Sequence, residues 1–483
     1  MYPNTAQKER PEILPEGSWG WFGQRAHDGV SMCHLIPFSF IYSCDSGPEV
    51  TAFSNNITPF SVEKMLGFRR FWSNKSLDQS VSGVEGQRFY SFLDTLKKPV
   101  YFLCYRSFGE LENLVSKQKN FLIVAVPERI KNFFDNKIIF RRLLKKLGIP
   151  KIPGETAELG NIRFPEIVAK FGRRPVVQFP YGSSGLNTFF IETSEDLDKI
   201  QKSNIDKTAI LSRYLNGYSL NINAVVFNDK GQISVHVSQP SLQIVGPESC
   251  AMRETIYCGN DFTSVRFLDS KIVDEVREYT RTIGKMMAHY GYKGIFGIDF
   301  IVHEGKPYPL EINPRFQNST PLQTLAETKE GAVPIVFYHI NSFLNEYVLK
   351  DYLNENNREV VLSGSQLILH NLHKETCVAT GHVKSGVYRV KDSEIEFIRD
   401  DVTLTDSVAE NEIVVAGGMP QGMSVESGAP VLKMQRWGSV LGPDLINLNA
   451  ESEKIAKFLY DKLKLVPADS MSAVPCEFGH TGL

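Results

Sequence analysis

Asp299, Glu311 and Asn313 bring two carboxylates and an amide into the stretch Gly297-Ile298-Asp299-Phe300-Ile301-Val302-His303-Glu304-Gly305-Lys306-Pro307-Tyr308-Pro309-Leu310-Glu311-Ile312-Asn313-Pro314-Arg315. Apolar runs flank a short polar segment with a glycine, the pattern of two strands joined by a turn. With Glu304-Gly305-Lys306 as a three-residue loop, His303 faces Pro307 and Asp299 faces Glu311. Directly opposed side chains share a face with Cβ atoms about 4.5–5.5 Å apart. Asn313 falls on that face by strand alternation. Carboxylates converging without a counter-charge repel each other. A hard divalent cation removes the conflict, and Mg²⁺ takes one or two carboxylates and completes its shell with substrate phosphates. A one-residue slip would send the carboxylates to opposite faces, so the site depends on register.

Other segments have the composition of a phosphate or nucleotide cleft. Pro175 to Ile191 reads as strand, loop and strand, with Gly182-Ser183-Ser184-Gly185 between them. Glycines let backbone N–H groups converge into an anion-binding concavity, and Ser183 and Ser184 add hydroxyl donors. The spacing is not that of a Walker A loop, and an ordinary turn has the same composition. From Ser219 onward polar and apolar residues alternate, placing Ser219, Asn221 and Asn223 on one face. That face is either half exposed or lines a cleft.

The elements needed to position these groups follow in order. Val100 to Cys104 and Phe121 to Val126 are apolar runs separated by a helical Gly109 to Lys119, which suggests a buried parallel sheet. Ser18 to Gly23 and His34 to Phe40 also read as strands, without evident chemistry. Asn136 to Leu147 is helical by its apolar spacing and is stopped by Gly148 and Pro150. Ser194 to Lys202 and Asp269 to Tyr290 read as helices, and Thr208 to Phe227 as a second hairpin-like pair. From about Val360 short strands alternate with glycine-rich turns, ending in a helix from Ser452 to Leu463.

A helix ending in Gly-Ile-Pro, a glycine-serine hairpin, a strand ending in Tyr-Leu-Asn-Gly, and Gly-Ile-Asp-Phe followed by Glu-Ile-Asn-Pro-Arg resemble, in order, the ATP-grasp superfamily over roughly residues 131 to 345. The resemblance implies an α/β chain with an α+β ATP-grasp core. Its N-terminal α/β domain spans 1–130 and its two-lobed core 131–345, with a small lid lobe at 150–205. A β-rich C-terminal module, 346–483, completes or flanks the site. It implies Asp299, Glu311 and Asn313 as Mg²⁺ ligands and Arg315 as the catalytic residue on the γ-phosphate, a role that suits its planar donor fork. Lys137, Gln178, Gly182, Ser183, Ser184, Gly185, Ser212, Asn221 and Arg253 become nucleotide-binding candidates, with Tyr214 and Leu215 as the hinge that reads adenine. The implied cofactors are ATP and two Mg²⁺ ions, with Mn²⁺ as a substitute. The implied reaction joins a small-molecule carboxylate, an amino acid or peptide, to an amine through an acyl-phosphate. Two departures stand out: Gln178 where many members have a lysine, and Gly217-Tyr218-Ser219 where Gly-x-Glu is common.

Composition bounds the remaining classes. The 483 residues are 42% hydrophobic with a formal net charge of −2, which gives no footprint for nucleic acid or an anionic membrane. No stretch has the ~18 apolar residues of a membrane span. The polar start, Met1 to Gly17, lacks a signal-peptide pattern, so a cytoplasmic protein is expected. Seven scattered cysteines without CxxC spacing suggest reduced thiols rather than structural zinc. A homodimer is the commonest assembly for such chains. His370, His373 and His382 read as core or surface residues, and Arg436 as a possible holder of a substrate carboxylate. Two rivals remain open: a biotin-carboxylase-like enzyme activating bicarbonate, and a nucleotide-binding regulator without catalysis.

Overall fold

The computed structural model describes residues 14–45, 57–65, 69–70, 73–182, 185, 187–229, 231–344, 360–391 and 394–469. Five strands near the N-terminus, in the spatial order Thr58–Ser61, Phe38–Ser43, Ser18–Phe22, Val100–Cys104 and Phe121–Val124, form an all-parallel sheet. Ser18–Phe22 and Val100–Cys104 are buried throughout. Covered on both faces, such strands read as unbroken apolar runs. Trp19 stacks on Tyr101 at 4.5 Å between ring centroids and Trp21 meets Phe316 edge-on at 5.8 Å, so both tryptophans are core. The strand expected over 34–40 begins only after Pro37, at Phe38.

Helix Lys137–Leu147 follows from its caps. The Asn136 side chain accepts from the N–H groups of Ile138 and Ile139, and Gly148 closes the other end at φ +68°. Phe140, Leu143 and Leu144 form its buried face.

A small antiparallel sheet comes next, in the order Gly154–Glu158, Thr208–Ser212, Val176–Gln178, Thr188–Phe190. Helices Phe164–Phe171 and Ser194–Lys202 supply Ile167, Phe171, Leu197 and Ile200 to its core. The pair expected as a second hairpin is not one. Thr208–Ser212 belongs to the small sheet, whereas Tyr218–Asp229 pairs with Gly294–His303 in a larger sheet. Residues 213–217 therefore cross between lobes instead of turning back.

The large sheet has eleven strands. Lys306–Asn313 lies at one edge, followed by Gly294–His303, Tyr218–Asp229, Ser241–Val245, Tyr257–Asp261, Ser365–His370 and Pro430–Arg436. Ser365–His370 and Pro430–Arg436 thus extend the same sheet, whereas Cys377–Ala379, Ser424–Val425 and Leu465–Pro467 join a separate sheet with Arg69–Arg70. Helix Ser270–His289, capped by Asp269, packs Ile272, Val276, Ile283 and Met287 against it. His370 is buried at the end of its strand.

Candidate nucleotide and metal site

The acidic hairpin has the expected pairing for an unexpected reason. Its turn is the two-residue Glu304-Gly305, with φ of +50° and +74°, and His303 pairs with Lys306. Positive φ at both central residues is the geometry of a primed hairpin turn. That register alone would put Asp299 opposite Leu310. A one-residue bulge between Pro309 and Glu311 restores the count, so Asp299 faces Glu311 and Gly297 faces Asn313. A bulge re-aims side chains where pairing ends, and here it turns Glu311 back toward Asp299.

The next strand brings Asn221 opposite Asp299. The Asn221 amide donates to Asp299 Oδ1 at 2.7 Å and to Gln317 Oε1 at 2.8 Å, Gln317 Nε2 reaches Asp299 Oδ1 at 3.3 Å, and Asn313 Nδ2 donates to Oδ2 at 3.1 Å. Burial, followed by the Glu311 charge, raises the Asp299 carboxyl above its ordinary range, against hydrogen bonds from Asn221, Gln243 and Asn313. An Asp299 carboxyl raised by burial and crowded by the Glu311 charge is what a divalent cation relieves. Among the described residues no three His, Cys, Asp or Glu side chains come together as a metal nest. The donor set fits a hard cation shared with a polyphosphate.

Cations frame this pair. Lys137 Nζ, nearly buried, lies 2.6 Å from Glu311 Oε2 and 3.3 Å from the Gly182 carbonyl. Arg315 donates through Nη2 to Asn313 Oδ1 at 2.9 Å and through Nη1 to the Tyr105 hydroxyl at 3.0 Å. Burial opposes its charge, yet Tyr105, Asp135, Glu311 and Asp299 outweigh it and raise its pKa.

A family model described as the ATP-grasp domain matches residues 134–319. These residues form an ATP-grasp domain. The chain is 25% identical over 257 residues to the C-terminal section of a carbamoyl phosphate synthase large chain from Methanocaldococcus jannaschii, covering 50% of this chain and 38% of that one. The curated relatives are matched over only 17 to 38% of their own lengths in the first three cases. Among solved structures, the biotin carboxylase domain of a Hydrogenobacter thermophilus 2-oxoglutarate carboxylase, in complex with MgADP, ADP and bicarbonate, aligns with a TM-score of 0.56 at 14% identity, covering 88% of this chain and 87% of that one. A Campylobacter jejuni biotin carboxylase aligns with a TM-score of 0.57 at 13% identity, covering 93% and 92%. At such identities the likeness is one of fold.

The other candidates lie on the small sheet and along the segment that crosses from it to the large sheet. Tyr214 and Leu215 lie in the extended lobe-crossing segment. Gly217 leaves no space for a side chain, since a Cβ there would sit 1.8 Å from the Val302 carbonyl oxygen. His303 Nδ1 lies 2.7 Å from the Asn216 carbonyl, fixing the hinge to the acidic hairpin. Gln178 ends its strand and donates to Thr188 Oγ1 at 3.1 Å. Ser212 is buried opposite Val176. Gly185, at φ +73°, rests on Thr255, two residues from exposed Arg253. Ser183 and Ser184 lie outside the described residues. Asn221 and Asn223 are 2% and 1% exposed, Ser219 on the same face is half-buried, and the Asn221 amide is engaged by Asp299 and Gln317.

Arg436 does not join the site. It faces away from Gln435, pairs with Glu451 and donates to the Glu410 carbonyl at 3.0 Å. Glu254 pairs not with Arg253 but with Arg174, whose guanidinium also lies 4.6 Å from the Phe190 ring and 4.8 Å from the Tyr214 ring. Arg174 thereby ties the small sheet, the hinge and the segment under the glycine loop together. Nothing in its local sequence marks it.

A row of polar residues was also not legible. Ser219 faces Gln243, Gln243 faces Asn260, Asn260 faces Gln366, and Gln366 faces Gln435. The row crosses the sheet from the strand beside Asp299 to the C-terminal strands. No helix among the described residues is long and apolar enough to cross a membrane.

Proposed function

We propose that this protein is an ATP- and Mg²⁺-dependent ligase that phosphorylates a small-molecule carboxylate and transfers the acyl group to an amine, releasing ADP and phosphate. The observation that carries the reading is the convergence of Asp299, Glu311 and Asn313 with Arg315 and Lys137 on one half-buried sheet face. Bound to Asp299, Glu311 and Asn313, Mg²⁺ or Mn²⁺ would neutralise polyphosphate oxygens. Lys137, now on Glu311 and beside the Gly182 carbonyl, would turn to a phosphate. Arg315, already oriented by Asn313 and Tyr105, stabilises charge on the transferring phosphoryl group. A carboxylate oxygen attacks the γ-phosphorus, and the bond to the β-phosphate oxygen breaks with ADP leaving. The amine nitrogen then attacks the acyl carbon, phosphate departs, and the amine gives up a proton. Such chemistry rests on positioning and electrostatics and needs no Ser or Cys nucleophile. Docking of Gly185 on Thr255 and the Arg174–Glu254 pair support a lid that excludes water from the acyl-phosphate.

The likeness to biotin carboxylases over most of the chain supports a second reading, with bicarbonate as the activated acid. An ATP turnover assay across paired acids and amines, with product masses, separates the two. Amide products support the ligase; ATP turnover that needs bicarbonate and no amine supports the carboxylating enzyme. Nucleotide binding without turnover on any substrate contradicts both.

A further inference from the structure

The parallel N-terminal sheet reverses its strand order between Ser18–Phe22 and Val100–Cys104. In open α/β sheets ligands sit outside the carboxyl ends of strands at such a point. Arg25 and Asp28 follow the first of these strands here, and Tyr105, Arg106 and Ser107 follow the second. This end of the sheet touches the segment that follows Arg315. Phe316 N donates to the Tyr105 carbonyl at 3.1 Å, Tyr105 Oη donates to Asn318 Oδ1 at 3.1 Å, and Arg25 donates to the same oxygen at 2.5 Å.

Its charges do not balance. Arg25 is held by Asp28 at 2.7 Å. Arg106 makes no hydrogen bond or close ion pair among the described residues. Lys131, on helix Glu128–Asp135, is 1% exposed, and its ammonium reaches only Asp135, at 3.4 Å. Ser107 Oγ is buried without a partner. Burial, then Arg315, depresses the Arg106 pKa, and burial, then Arg106, lowers Lys131 to about 8. Arg106, Lys131 and Arg315 thus share the field of Asp135, with Glu128 adding to it at Arg106. Buried cations that repel one another are relieved by an anion. Arg315 is committed to the reacting centre through Asn313, which leaves Arg106 and Lys131 for another group.

We propose that this end of the sheet binds the acid substrate, and that Arg106 and Lys131 hold an anionic group other than the carboxylate being activated, which makes the substrate a dicarboxylic acid or an acidic amino acid. This rests on the ligase reading above. The test is calorimetry on the full chain with Mg²⁺ and a non-hydrolysable ATP analogue, using succinate, L-glutamate, acetate and inorganic phosphate as probes. Succinate or L-glutamate binds, and Arg106→Gln weakens it about tenfold or more, the scale of a lost charge-assisted contact. Arg106→Lys recovers most of that loss, and nucleotide affinity stays unchanged in both variants. Failure of both dicarboxylates to bind, equal loss for acetate, or tighter binding of phosphate than succinate overturns the proposal. Dicarboxylate binding that depends on Arg106 without ATP turnover on any acid keeps this site and removes the ligase reading. ATP turnover on an acid that is indifferent to Arg106→Gln does the reverse.

Discussion

Gly217→Ala places one methyl group where the lobe-crossing segment meets the acidic hairpin. The added Cβ would lie 1.8 Å from Val302 O and 2.8 Å from Val302 C. Ordinary contact needs roughly 3.5 Å, so hinge and hairpin must part by more than 1 Å. The movement pulls on the Tyr218–Val302 pairing and on the Asn216–His303 contact. It also displaces the Tyr214–Leu215 backbone from the hairpin that holds Asp299 and Glu311. Overpacking of this kind costs about 1–3 kcal/mol, and misplacement by about 1 Å costs on the order of a hundredfold in a positioned reaction. Thermal melts with Mg·ATP titrations on Gly217→Ala should show a modest loss of stability and a much larger loss of nucleotide affinity. Gly231→Ala, at a turn with φ +86° far along the same strand, should lose stability only. Wild-type nucleotide affinity in Gly217→Ala would refute the hinge geometry.

Deletion of Leu310 removes the bulge and makes Glu311 the residue after Pro309, which keeps it opposite Asp299 in the plain register, so Mg·nucleotide binding should persist and the chain should still melt cooperatively. Loss of binding in that variant counts against the register argument. Arg436→Met should lower the melting temperature, since Glu451 loses its partner, and leave every KM unchanged; a raised KM for the acid would return Arg436 to the site. Glu327 is buried and pushed up to about 7 by burial, against bonds from Gln323, Ile335 N and Ser238. Its unfolded form ionises near 4.5, so the stability it contributes is complete below that value and lost as pH rises through about 7. The loss is on the order of 3 kcal/mol, and Glu327→Gln should flatten that part of the stability profile. A profile unchanged by the substitution contradicts the assignment.

Local patterns were legible where one segment decides the outcome. The cap at Asn136, the stop at Gly148 and helix Ser194–Lys202 all lie where spacing places them. A three-residue loop without a bulge and a two-residue turn with one lead to the same Asp299–Glu311 pairing. The two-residue turn and the bulge at Leu310 cancel, and neither is visible as a hydrophobic pattern. The connection at 213–217 looked like a hairpin because strand alternation does not say which sheet a strand joins. Arg106, Lys131 and Arg174 were missed for a related reason. Each is an unremarkable basic residue until distant segments bring it beside Arg315 or Tyr214. Gln243, Asn260, Gln366 and Gln435 form a row only once four strands are in register.

The most direct measurement is calorimetric titration of Mg²⁺ with a non-hydrolysable ATP analogue into the wild-type chain, Asp299→Asn and Glu311→Gln, each repeated without Mg²⁺. The account predicts metal-dependent nucleotide binding in the wild type. In both variants the metal-dependent part should vanish while weak metal-free binding remains. Equal metal-dependent binding in all three proteins would contradict it.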